Sequence, residues 1–115
     1  MTDSNSRAMT LAPGVIETII SITANETEGV ASVGSYTASG IRAFLAAKPS
    51  TAGVSAVFEE DKLVVTLHIE AYYGHVLPDV AEKLRQSIAD ALLVQVGIEV
   101  KRIDIYVDGI RFDED

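Results

Sequence analysis

The chain has no cysteine and no tryptophan, three prolines, and aromatic side chains at only 6% of its positions. Without cysteine there can be no disulfide, no thiolate metal site and no cysteine nucleophile. Cations are also scarce: nine Lys and Arg stand against 17 Asp and Glu, for a formal net charge of −8. A surface that acidic repels phosphate backbones and anionic headgroups, which argues against non-specific nucleic-acid binding and direct adsorption to lipid, while leaving local basic patches open. No apolar run is long enough to span a bilayer, and Met1 to Arg7 is polar, so an intracellular, soluble protein is expected. Gly29, Gly34, Gly40 and Gly53 lack the spacing of phosphate-binding loops and read as turns.

What is present is apolar content: 48% of 115 residues, enough for one core and too little chain for two domains. The stretch from Lys62 to Gly109 organises it. Leu63, Val65, Leu67, Ile69 and Ala71 alternate with Val64, Thr66, His68, Glu70 and Tyr72, the period of a strand with one buried face. Leu77, Val80, Ala81, Leu84, Ile88, Ala91 and Leu92 then recur at helical spacing, with Pro78 in the first turn and Gly97 as the stop. Ile103, Ile105 and Val107 alternate with Asp104, Tyr106 and Asp108 as a second strand. Strand, helix and strand predict two parallel strands joined by a right-handed crossover.

Upstream, residues 1–11 read as a flexible lead-in and 12–112 as a single domain. A helix is expected from near Ala12 to about Glu26, with Pro13 in its first turn and Thr10 available as a cap. Ala12, Ile16, Ile19, Ile20 and Ala24 form its stripe; Val15 and Ile22 widen it, either because the helix is deeply buried or because it self-associates. A strand interrupted by Gly34 is expected over 30–36 and a short helix over 39–48. Val54, Ala56 and Phe58 alternate again, and Glu59-Glu60-Asp61 makes a solvated hairpin turn, since three consecutive carboxylates cannot converge on one ion from so tight a bend. The resulting fold class is α+β: a small mixed sheet, built from a β-hairpin and a right-handed β-α-β unit, with helices packed on it.

Chemistry has few places to reside. His68, Glu70 and Tyr72 share a strand face that Asp104, Tyr106 and Asp108 continue, and a histidine beside carboxylates suits a divalent cation or acid/base work; a solvent-facing sheet surface looks the same. His75 follows a strand end and precedes a helix, where α/β folds place ligands, and a capping or exposed histidine stands there too. Lys83-Arg85, Lys101-Arg102 and Arg111 are too interleaved with acids for a nucleic-acid stripe. None of these sets is a catalytic signature.

Several motifs in fixed order carry a family likeness. Glu28-Gly29-Val30, then Tyr73-Gly74 with Pro78, Val80-Ala81, Gln86 and Ala91, then Gly97, Val100 and the run from Ile103 to Ile110 resemble the alkaline shock protein family of envelope stress response proteins. The likeness spans about residues 12 to 112. Leu77 stands where isoleucine is usual, Gln95-Val96 where methionine and threonine are common, and Asp104 where asparagine is frequent. The resemblance implies a bacterial, cytoplasmic, non-enzymatic protein of cell-envelope homeostasis that needs no cofactor or metal. It also implies self-association and membrane contact through an anchoring partner protein rather than by insertion. No catalytic residue carries over from it. The segment 41–52 is less basic than in many relatives, which weakens any anionic partner there.

Two other functions compete. One is an RNA- or ribosome-associated module, which would need a basic or aromatic face. The other is a small-molecule or metal sensor using His68, Glu70 and Asp104. For self-association, Leu93 lies opposite Leu84 on the long helix, with Ala89 and Val96 nearby, so those three with Val15 and Ile22 form the expected interface.

Overall fold

The computed structural model describes residues 9–34 and 52–112. In chain order they form α1 (Val15–Asn25), β1 (Val30–Val33), β2 (Val54–Glu59), β3 (Lys62–Tyr72), α2 (Leu77–Val96) and β4 (Val100–Arg111). The helix expected over 39–48 and most of the lead-in lie outside the described residues, and β1 stops at Val33, short of the expected Tyr36.

Every other strand pairs with β3. β2 runs antiparallel to it from Glu59 opposite Lys62 to Val54 opposite Leu67, and β1 follows, antiparallel, from Val33 opposite Ile69 to Val30 opposite Ala71. β4 runs parallel to β3 from Val100 beside Leu63 to Arg111 beside Tyr72. Since β2 and β4 pair with the same β3 residues, they occupy opposite edges of it. The sheet is therefore mixed, a hairpin plus a β3-α2-β4 unit, as the hydrophobic alternation predicts.

Two turns show how local chemistry sets this topology. Glu60 and Asp61 alone connect β2 to β3, both with positive φ (53° and 72°), the backbone a two-residue hairpin needs to match strand twist. β1 and β2 meet end to end at His68, whose carbonyl accepts from Gly34 N–H (2.7 Å) and whose N–H donates to the Gly53 carbonyl (2.9 Å). The two short strands are thus one edge, left and rejoined at a single point. Both glycines have φ of +83°, and a Cβ on Gly53 would stand 2.5 Å from the Gly34 Cα. No side chain fits at that crossing.

The core forms where the alternating face of β3 meets the helical stripes. Leu63, Val65, Leu67, Ile69 and Ala71 are at most 1% exposed, and Val80, Leu84, Ile88 and Leu92 of α2 and Ile20 and Ala24 of α1 close over them. The four α2 residues recur every fourth position, so one face of the helix is buried, while the solvent side is polar along most of its length but carries exposed Leu93 and Val94 near its end. Gly97, left-handed at φ 74°, ends α2 by donating to the Leu93 carbonyl while Ile98 donates to that of Leu92.

The start of α1 departs from expectation. The helix begins at Val15, not Ala12, because Gly14 is left-handed (φ 89°) and a helix cannot run through it. Pro13 sits in the preceding turn, Ala12 is exposed, and no side chain, Thr10 included, caps the first turn. Fully buried Ser21 joins the core side of the helix, where the apolar pattern had no place for it.

Candidate functional site

The helices cover one face of the sheet. The other is not covered by any element among the described residues, and its chemistry is built from the even-numbered residues of β3. Thr66 lies between Ser55 and Asp104, His68 beside Tyr106, Glu70 between Ser32 and Gly109, and Tyr72 beside Arg111.

His68 stacks on Tyr106 with ring centroids 4.8 Å apart and planes 13° from parallel. Its Nδ1 lies 3.0 Å from Asp108 Oδ2. An ionised carboxylate can only accept, so Nδ1 carries the proton in that contact. Arg111 Nε donates to Glu70 Oε1 at 2.8 Å, and Ser32 Oγ reaches the same oxygen at 3.5 Å, joining three strands in one network. Gly109 makes the room: a Cβ there would come 3.3 Å from Glu70 Oε2.

Arg111 reaches this face because β4 bulges. The register slips between Ile69/Val107 and Glu70/Gly109, so Asp108 is an extra residue and the strand's parity flips after it. Strict alternation through Asp108, as the sequence pattern suggests, misses the Ser32-Glu70-Arg111 network. A glycine inside a strand, here Gly109, is the signal that could have revealed it.

The three residues singled out for a cation do not converge. Asp104 accepts from Arg102 Nε at 3.1 Å, Glu70 faces Arg111, and His68 faces Asp108. Among the described residues no group of three or more His, Asp or Glu is arranged to hold a metal. His75 is exposed in the turn before α2, whose first turn no side chain caps.

Among the described residues the basic side chains are engaged one by one. Lys101 pairs with Glu59 (3.3 Å), Lys83 with Glu28 (3.6 Å), and Arg85 with Glu82 (3.8 Å) while its Nε donates to the Ile103 carbonyl. A polar cleft of about 430 Å³ separates the end of α1 (Thr23, Glu26, Thr27 and Glu28) from Lys83, Gln86 and Ser87 of α2.

Of the five expected interface residues, Ile22 (41%) and Leu93 (52%) are exposed, Val15 and Ala89 are half-buried, and Val96 packs against the core. Val94, at 81% the most exposed large apolar side chain described, is absent from the set that the sequence suggests. Six of the twelve exposed large apolar residues described lie elsewhere: Tyr106, Val107, Ile110 and Phe112 in or just after the second half of β4, on both faces of the sheet, and Tyr73 and Val76 in the turn after β3. Tyr73 and Phe112 lie ring to ring at 5.1 Å.

The first two motifs behind the family likeness meet in space. Gly29 of Glu28-Gly29-Val30 has a φ of +96°, accepts from Tyr72 N–H (2.9 Å), and lies so close to α2 that a Cβ would stand 2.7 Å from Val80 Cγ2 and 3.2 Å from His75 Nδ1. The two motifs form a single helix-turn contact.

Fold and surface of the described residues together define a small mixed-sheet domain with two helices on one face and a network of paired charges on the other. The chain belongs to the alkaline shock protein family, described as having a cell envelope-related function, whose profile matches residues 1–112. It is 28% identical over 111 residues to the Bacillus subtilis protein YqhY, covering 96% of this chain and 82% of that one. A solved structure of the MamM CTD in a zinc form overlays with a TM-score of 0.46 at 11% identity, covering 86% of this chain and 84% of that one, too loose a likeness to bear on function. Among the described residues no helix is long and apolar enough to cross a membrane.

Proposed function

We propose that the protein serves its envelope-related role without catalysis, as a cytoplasmic interaction protein that self-associates and reaches the membrane through a protein partner. The observation that carries this reading is apolar surface left uncovered, among the described residues, in two separate places. One is the helix side, with Ile22, Leu93 and Val94; the other is the second half of β4. Two such surfaces suit two kinds of contact, one between copies and one with a partner.

A net charge of −8 on each copy opposes self-association, so the contact must draw its free energy from apolar burial and backbone pairing. Salt screens the repulsion and leaves burial untouched. Sedimentation velocity should show an oligomer at low salt that persists or strengthens at moderate salt; a monomer at both would overturn self-association. Copurification from the host with wild type and Leu93→Glu tests the partner surface: a partner held by wild type should be lost from the variant, and one retained equally would place its site off the helices.

A further inference from the structure

We infer that a second copy of this chain adds to the outer edge of β4, antiparallel, about a two-fold axis at Ile105, making one continuous sheet. The inference rests on the self-association proposed above and assigns its surface.

β4 pairs with β3 on one side and, among the described residues, with no strand on the other. Its register fixes which groups face outward. Leu63 N–H donates to the Glu99 carbonyl and Tyr73 N–H to that of Arg111, and the ladder slips at Lys101 and Asp108. Alternate residues of a parallel strand address the same neighbour, so between the slips Arg102, Asp104 and Tyr106 bond to β3 and Ile103, Ile105 and Val107 point away. The Ile103 carbonyl bears this out: Arg85 Nε of α2 donates to it, at 3.2 Å. A carbonyl has two lone pairs, so that contact does not bar a second donor.

The side chains choose the register. Centred on Ile105, antiparallel pairing sets Arg102 against Asp108 of the second copy, Ile103 against its Val107, and Asp104 against its Tyr106. Opposite charges meet on the open face and apolar residues meet on the helix face. Moving the axis to Tyr106 would set Asp104 against Asp108, and moving it to Asp104 would set that carboxylate against itself. Only the Ile105 register also aligns the three outward residues of each copy, for about six backbone hydrogen bonds. It covers Val107, 39% exposed in the single chain.

The absence of cysteine makes the test clean. In this register positions 104 and 106 face each other as a non-hydrogen-bonded pair, with Cα atoms about 4.5 Å apart. That lies within the span of about 4.4–6.8 Å a disulfide bridges, whereas the same position in the two copies is a diagonal of about 7–8 Å. Asp104→Cys and Tyr106→Cys, checked for folding by circular dichroism, are oxidised separately and as an equimolar mixture. The mixture should give several-fold more disulfide-linked dimer than either variant alone. Dimers by sedimentation without that excess would overturn the edge while leaving self-association standing, and a wild-type monomer would overturn both. Charge exchange is an independent arm: Arg102→Asp and Asp108→Arg should each weaken the dimer several-fold and together restore it, and a double variant as weak as the singles would count against the register.

Discussion

The two faces of β3 are made by one stretch of eleven residues, yet they behave differently. On the helix side Leu63, Val65, Leu67, Ile69 and Ala71 are sealed from water and their neighbours are other apolar side chains. On the open side Thr66, His68, Glu70 and Tyr72 are half-buried, and His68 and Glu70 are held by side chains from other strands. Burial on the first face depends on volume and hydrophobicity alone, which the strand's own sequence specifies. Order on the second depends on which residue of β1 or β4 arrives opposite, which that sequence does not specify. The closed face should thus carry stability and the open face little.

The sharpest way to break that contrast is Ile88→Asp, which puts a carboxylate with no partner into a site that is fully buried. It should cost several kcal/mol, of a total of about 5–15 for a domain this size, and lower the urea midpoint accordingly. Glu82→Ala, on the outer side of the same helix, removes an exposed i,i+3 pair with Arg85 and should cost less than about 1 kcal/mol. Comparable midpoints for the two variants would mean the helix is rotated from the orientation described.

Next in size is the point where the closed face depends on backbone rather than side chains. Gly53→Ala places a methyl 2.5 Å from the Gly34 Cα at a φ of +83°. A loss of about 1–3 kcal/mol is expected from strain of this kind. A wild-type midpoint would show that the edge shared by β1 and β2 yields without cost.

The sequence made the closed face legible because period and burial coincide there. The β3 alternation, the α2 stripe from Val80 to Leu92 and the stop at Gly97 all follow from single-residue chemistry at short range. The start of α1 is not legible in the same way, because Gly14 looks like any small residue until its φ is known. On the open face, alternation puts His68, Glu70 and Asp104 on one surface together with Arg102 and Asp108, but it misses Arg111, the partner of Glu70. One extra residue at Asp108 flips the parity beyond it and brings Gly109 and Arg111 onto that face. Bulges and cross-strand register are long-range facts, and a hydrophobic pattern does not encode them.

A smaller effect sharpens the open-face side of the contrast. Tyr106→Ala removes the ring stacked on His68, a contact worth about 0.5–1.5 kcal/mol. The urea midpoint should fall slightly and the far-ultraviolet dichroism should not change. A loss as large as that of Ile88→Asp would show the open face to be a second core.

The smallest expected effect concerns divalent cations. A metal held by His68, Glu70 and Asp104 would have to take each ligand from an existing partner: Asp108 at 3.0 Å, Arg111 at 2.8 Å and Arg102 at 3.1 Å. The first is a carboxylate that could itself be recruited, but the other two are guanidinium groups whose positive charge opposes a cation at the same oxygens. Glu70 and Asp104 also face different arginines, so binding would disrupt two ion pairs to assemble one site. Calorimetry of wild type with zinc, manganese and calcium should show no micromolar binding, and His68→Ala with Asp104→Ala should leave that result unchanged. Micromolar heat that vanishes in the double variant would mean the ion pairs open readily, and the polar face would become a sensor site.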